Sequence, residues 1–170
     1  PRLLRRPTAK YDLIFGDAFN SVISVPGHLL TIEFNKLVKS HLNENGIYAL
    51  NIASSLSGEN SKLFASVKKT FSAVFPNNIT LSFGGSDNRT QNIILIGSTS
   101  QNKINVNLLK ESLEKETDGG WLSALISTAD DSFPNASVLT DDFYPTEKLL
   151  LSNLNSYFNQ YANFYYSFIK

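Results

Sequence analysis

The sequence predicts an α/β protein whose elements follow the order β-α-β-α-β-β between residues 11 and 97. Short apolar runs at 12–19 and 47–52 have the length and composition of buried strands, and an amphipathic stretch follows each of them. A turn-rich segment then joins two further strands at 79–83 and 92–97, and it is short enough for a hairpin that makes the last strand antiparallel to its neighbour. This pattern corresponds to half of a doubly wound sheet.

The first strand ends in a carboxylate and small residues, and Pro26-Gly27 marks a turn before the next helix. Residues 29–42 are predicted to be helical because their apolar side chains recur on one face. These side chains are Leu30, Phe34, Leu37, Val38 and Leu42. Asn43 to Gly46 should end this helix, with Gly46 as a left-handed cap, and the chain then enters the strand at 47–52.

A second amphipathic helix is predicted between the polar loop 54–60 and Pro76, which should stop it. Its apolar face consists of Phe64, Val67, Phe71, Val74 and Phe75. Beyond the hairpin, residues 106–115 should form a charged helix, 123–128 are ambiguous, and 130–142 form a loop. The Asn- and Tyr/Phe-rich tail from 146 to 170 is compatible with a helix.

Composition excludes several classes of function. Lys+Arg and Asp+Glu balance at 15 each, and the only basic cluster is Arg2, Arg5 and Arg6, so we expect no nucleic-acid partner. With no cysteine, thiolate zinc sites and disulfides are excluded. With only His28 and His41, a multi-histidine centre is not expected; carboxylate sites remain open, and we predict no metal site. There is no apolar run of membrane-spanning length, so a cytoplasmic location is expected, with any membrane tether outside this chain.

The motifs in three segments, at 11–34, 42–51 and 139–147, resemble those of the spermidine synthase family, most closely the bacterial spermidine synthase-like domains often found behind membrane segments. Residues 11–34 contain YDLIFGDAF and then PGHLLTIEF, similar to the family's "YDxIxxDAF" strand and "PxHLxTxEF" helix start. Residues 42–51 are similar to its "LxxxGxxxxN" element, and LTDDFYPTE at 139–147 is similar to its "LTDDxxPxE" ending. Together these segments cover residues 11 to about 150.

The resemblance implies the C-terminal half of a Rossmann-like class I methyltransferase sheet. Residues 1–150 would form a partial domain without its first three strands, and 151–170 an aromatic, helical extension. The absent strands would carry the glycine-rich turn and the ribose-binding acid of the cofactor site. The chain also has no methionine and starts at Pro1, so we expect a processed or partial product.

The resemblance further implies a transferase that uses S-adenosylmethionine or its decarboxylated form and acts on an amine. Asp17 occupies the family's catalytic aspartate position, and cofactor contacts would come from Asp17, Ala18, Phe19 and Pro26. Asn20 stands where polyamine-forming members have a second carboxylate. Because Asn20 is neutral and cannot balance an ammonium charge, a diamine substrate is in doubt.

Four further polar residues each allow two interpretations. His28 could orient or shuttle protons near Asp17, or it could cap the following helix. Asp141, Asp142 and Glu147 could close over a cationic substrate, or they could belong to a turn and a helix N-terminus beginning near Pro145.

Two functions therefore remain open for the whole chain. One is a transferase completed by an N-terminal half, and the other is a non-catalytic module in protein assembly. An unrelated doubly wound domain is a weaker third reading, opposed by the LTDD element. In the family's strand order, the strand at 12–17 is central. Its apolar edge should therefore be covered by the N-terminal half of the domain or by another protein chain.

Overall fold

The structure, a computed structural model, describes residues 8–17, 26–82, 88–116, 126–127 and 133–151. Its strands are β1 (Tyr11–Asp17), β2 (Leu42–Ser54), β3 (Asn78–Ser82), β4 (Gln91–Ser98) and the two-residue β5 (Ile126–Ser127). Its helices are α1 (Ile32–Ser40), α2 (Lys62–Val74), α3 (Val106–Glu116) and α4 (146–151).

The strands form a single sheet in the order β1-β2-β4-β3-β5. β1 and β2 are parallel, whereas β4 lies between β2 and β3 and is antiparallel to both. The short β5 pairs antiparallel with β3 and falls within the ambiguous segment 123–128. The predicted α/β class with an antiparallel terminal hairpin is therefore confirmed.

The hydrophobic core lies on one face of this sheet, which we call the helix-covered face. Alternate residues of β2 (Tyr48, Leu50 and Ile52) point toward α2, whose Phe71 stacks on the Tyr48 ring with a centroid distance of 5.6 Å. Ile14 of β1 packs against the same cluster. Because side chains alternate along a strand, Leu13 and Phe15 of β1 lie on the opposite face.

The predicted end of the first helix is wrong. α1 ends at Ser40, and β2 already begins at Leu42, so Asn43 to Gly46 belong to the strand. The residue with positive φ is Asn45 (61°) instead of Gly46. The physical reason is tertiary pairing: Tyr11 pairs with Leu42, and the Tyr11 N–H donates to the His41 carbonyl, which overrides the local capping signal.

Other predicted boundaries agree within a few residues, as expected for element ends. α2 stops at Val74, two residues before Pro76, and α3 covers the predicted 106–115. The aromatic extension beyond residue 151 lies outside the described residues, so its predicted helix stays a prediction. Within the described ranges, no helix is long and apolar enough to cross a membrane.

Candidate functional site

Asp17 is the last residue of β1, at the carboxyl edge of the parallel pair β1 and β2. Its register partner on β2 is Asn51, whose Nδ2 donates a hydrogen bond to Asp17 Oδ1 at 3.1 Å. Asn51 therefore orients the carboxylate through Asp17 Oδ1. The Asp17 residue is exposed. Because a carboxylate has two acceptor oxygens, Asp17 can still accept further hydrogen bonds.

Asn51 is a site residue that the sequence did not single out for a role. Its Nδ2 faces the carboxylate, and its Oδ1 is buried without a hydrogen-bond partner. Turning the amide over would place an oxygen against the carboxylate, so Asp17 itself fixes this orientation. Leaving a buried acceptor unpaired costs about 1–3 kcal/mol. The Asn51 side chain therefore keeps this orientation because of its hydrogen bond to Asp17, although its own Oδ1 stays unpaired.

Gly16 brings β1 close to the core directly before Asp17. A Cβ at this position would lie 2.8 Å from Tyr48 Oη and 3.3 Å from Leu50 Cδ1. Burial raises the pKa of the Tyr48 hydroxyl well above its usual range, so this neighbour stays neutral. The Asp17 carboxylate therefore extends from a strand whose backbone packs closely against the apolar core.

The turn at Gly27–Leu29, preceded by Pro26, leads into α1. The His28 side chain is exposed in this turn. The N-cap of α1 is Thr31, whose Oγ1 accepts from the Phe34 N–H at 3.3 Å. The reading of His28 as a helix cap is therefore wrong, and its role in proton transfer stays a prediction.

The segment 139–146 docks against the start of α1. Thr31 Oγ1 donates to Asp141 Oδ1 at 2.7 Å, the Asp141 N–H donates to Glu33 Oε2 at 3.0 Å, and the Ile32 N–H donates to the Leu139 carbonyl at 2.9 Å. Asp141 thus has a structural partner in Thr31, which sequence spacing could not reveal across 110 positions. The structure joins this segment to the turn that carries His28.

Asp142 and Glu147 are exposed, Asp142 in the turn between Thr140 and Phe143 and Glu147 in α4. The turn and the helix start after Pro145 agree with the structural reading of this acidic cluster. Substrate binding by the three acids stays a prediction. Ala18, Phe19 and Asn20 lie outside the described residues, so their predicted contacts also stay predictions.

Asp17 presents a hydrogen-bond acceptor at the carboxyl edge of β1. Its carboxylate can accept a hydrogen bond from an N–H or O–H group of a ligand. A nucleotide cofactor is usually held by a glycine-rich turn between a strand and a helix, and among the described residues no such turn is present. The start of α1 is occupied by Thr31 and the segment 139–146. A cofactor of this kind would need binding groups from elsewhere.

Comparisons with known proteins support the fold. No family model matches the sequence, and no curated protein matches it. Among solved structures, the chain is similar to a probable spermidine synthase from Corynebacterium glutamicum ATCC 13032, with 21% identity and a TM-score of 0.54. The match covers 83% of this chain and 52% of that one, so the chain spans about half the length of its structural neighbour. The predicted Rossmann-like methyltransferase fold of the spermidine synthase type is confirmed.

Proposed function

We propose that this chain carries the amine-binding part of a spermidine synthase-like transferase. The observation that carries the proposal is the exposed Asp17 carboxylate, which Asn51 orients at the carboxyl end of β1. Open α/β sheets bind ligands at this edge. The similarity in fold to a probable spermidine synthase favours transfer of an aminopropyl group over other reactions of the same fold.

The main demand of this chemistry is a neutral amine. A free alkylamine has a pKa near that of lysine, about 10.4, so neutralising it at pH 7 costs roughly 3.4 units or about 4.6 kcal/mol. A carboxylate beside the amine can accept or steer the proton while it orients the nitrogen lone pair. Asp17 has the charge and exposure for this task, and Asn51 restricts the directions that its carboxylate can take.

The donor would be decarboxylated S-adenosylmethionine or S-adenosylmethionine. When bound, either molecule supplies a carbon made electrophilic by the adjacent sulfonium. The described residues contain no glycine-rich turn of the kind that holds a nucleoside. We therefore assign cofactor binding largely to polypeptide outside them, with additional contacts from Asp17 and Pro26. Ala18 and Phe19 belong to the same proposed contact.

Activity assays of the protein from its native source test this proposal. Each donor is combined with a panel of mono-, di- and triamines, and methylthioadenosine and S-adenosylhomocysteine are measured by mass spectrometry. We expect one of these products, and we expect Asp17→Asn to lower the rate by about 10²–10⁴-fold because it removes the proton acceptor.

Asp12→Asn is the matched control. Asp12 lies at the other end of β1 and accepts from Asn43 Nδ2 at 2.7 Å, so it repeats the Asp–Asn pair away from the carboxyl edge. Its substitution should leave the rate unchanged. Absence of both products, together with no binding of either donor, would contradict the transferase function. Equal loss of activity in the two variants would contradict the role of Asp17.

A second function, a non-catalytic module in protein assembly, is favoured by one specific observation. Leu13 and Phe15 of β1 are 61% and 57% exposed, which is unusual for strand residues of this size. An assembly module would bury Asp17 under its partner, whereas a transferase would keep it open to an amine. The accessibility of Asp17 to a water-soluble carbodiimide in the native assembly distinguishes the two.

A further inference from the structure

A polar cavity of about 510 Å³ lies beside the start of β3 and the end of β4. This volume falls within the range of small-molecule sites in proteins. Most of the residues that line it are polar or cationic, among them Lys39, Asn77, Ser98, Ser100 and Lys103. We call it the β3–β4 cavity. We propose that the β3–β4 cavity binds a small organic phosphate monoester, with the two lysines as its charge partners. This inference holds whether or not the protein is a transferase.

The β3–β4 cavity is separate from the candidate site at Asp17. Ser98, in the cavity wall, pairs with Ile47 of β2. Asp17 pairs with Asn51, four residues further along the same strand. At the usual rise of a strand this separation is roughly 13 Å. The cavity therefore lies toward the amino ends of β1 and β2, at the edge of the sheet opposite to Asp17.

The described wall of the cavity has a net positive charge. Lys39 and Lys103 line it, and none of the described residues in the wall is an aspartate or a glutamate. Lys39 is held at the cavity, because its Nζ donates to the Val74 carbonyl at 2.8 Å and lies 5.7 Å from the centroid of the Phe75 ring. An ammonium group has three N–H donors, so others remain for a ligand. The wall therefore favours an anion.

The loop between β4 and α3 is held in shape by an asparagine. Asn77 Nδ2 donates to the carbonyls of Ser100 and Asn102, at 3.3 and 2.7 Å. Asn77 Oδ1 accepts from the Ile104 N–H at 2.8 Å. These three bonds come from the chain itself, so binding requires little ordering of the loop.

Two serines in the wall add hydroxyl donors. Ser98 Oγ accepts from the Ser100 N–H at 3.0 Å, and Ser100 Oγ accepts from the Asn102 N–H at 3.1 Å. A serine hydroxyl that accepts a hydrogen bond still has its own O–H to donate. The wall therefore has neutral donors beside the two ammonium groups, and both kinds of donor suit an oxyanion.

A phosphate monoester matches this wall better than a carboxylate. It has a charge of about −1.5 to −2 at pH 7 and three acceptor oxygens, whereas a carboxylate has one charge and two oxygens. Two lysines balance the larger charge. Pro76, Ile104 and Val106 complete the wall with apolar side chains, which can contact the carbon part of an ester. The ligand is therefore expected to have both a phosphate and an organic group.

Binding measurements on the protein from its native source test the proposal. Phenyl phosphate is the probe, and benzoate and inorganic phosphate are the comparison ligands, all titrated by calorimetry. We expect phenyl phosphate to bind at one site, about tenfold more tightly than either comparison ligand, because it alone has both the phosphate and an apolar group. Hydrogen exchange in residues 98–104 should slow when it binds.

Lys39→Met and Lys103→Met test the location of the site. Each removes one ammonium group and keeps an unbranched side chain, so each should weaken phenyl phosphate binding about tenfold. Lys36→Met, an exposed position of α1 outside the cavity wall, and Asp17→Asn should leave the affinity unchanged. Since Lys103 is exposed in a loop, its variant should fold as the wild type does even if Lys39→Met is unstable.

Three outcomes would overturn the proposal. If phenyl phosphate does not bind at millimolar concentration, the cavity is not a phosphate-ester site. If it binds and neither lysine variant weakens it, the ligand lies elsewhere on the protein. If benzoate or inorganic phosphate binds as tightly, the wall does not recognise a phosphate ester.

Discussion

At the scale of single residues, Gly16 has no room for a side chain. An added Cβ would lie 2.8 Å from Tyr48 Oη and 3.1 Å from Tyr48 Cε2. We predict that Gly16→Ala lowers the free energy of unfolding by about 1–3 kcal/mol, the usual cost of overpacking a well-packed core. In a Tyr48→Phe background the closest contact is gone, so the same substitution should cost less. Urea unfolding of the four proteins in this double-mutant cycle measures the difference.

Gly58→Ala provides the control for this cycle. Gly58 has a φ of 77°, but an added Cβ would meet nothing within 4 Å. Its substitution should destabilise the protein only through backbone strain, by an amount that is the same with tyrosine or phenylalanine at position 48. A cost of Gly16→Ala that is equally unaffected by Tyr48→Phe would contradict the contact.

At the scale of elements, α1 depends on one threonine both for its N-cap and for its attachment to the segment 139–146. Thr31 Oγ1 accepts from the Phe34 N–H and donates to Asp141 Oδ1, so it caps the helix and attaches the segment 139–146. We predict that Thr31→Ala lowers the free energy of unfolding by about 1–2 kcal/mol, since caps of this kind contribute that amount. Chemical denaturation followed by far-ultraviolet circular dichroism measures it.

Thr31→Ser keeps the hydroxyl and should recover most of the loss. Ser112→Ala removes an exposed hydroxyl of α3, whose Oγ donates to the Leu108 carbonyl at 2.8 Å, and should have little effect. In an Asp141→Asn background, Thr31→Ala should cost less than in the wild type. If the two substitutions are simply additive, Thr31 and Asp141 do not act together.

The sequence predicts where helices and strands lie better than where they end. Hydrophobic periodicity is a local signal, whereas strand pairing depends on residues far apart in the sequence. The apolar face of α2 and the interior runs of β1 and β2 are visible in the spacing of their residues. The end of α1 is not, since the pairing of Tyr11 with Leu42 decides it across some thirty positions. For the same reason the sequence indicated a role for Asp17 but none for Asn51. Although Asn51 ends the family-like element 42–51, its contact with Asp17 depends on the register between β1 and β2.

At the scale of the whole molecule, the two faces of the sheet differ in kind. One face has a continuous core formed by β2, β4 and α2, with Phe71 and Leu95 fully buried. The other face exposes large apolar side chains where β1 and β2 meet. Since Asp17 lies at the carboxyl end of the same β1 edge, whatever covers this face also determines the walls around the candidate site.

The exposed face predicts the solution behaviour of residues 1–170 expressed alone. We expect binding of anilinonaphthalene sulfonate and concentration-dependent association in light scattering, because an open strand edge beside apolar side chains favours both. Leu13→Lys with Phe15→Lys should reduce both signals and leave thermal unfolding nearly unchanged, since each side chain is more than half exposed. Leu108→Lys on α3, matched in exposure at 59%, should change neither signal. Association that persists in the double variant would show that a different surface causes it. This result would remove the main physical reason for a partner at β1.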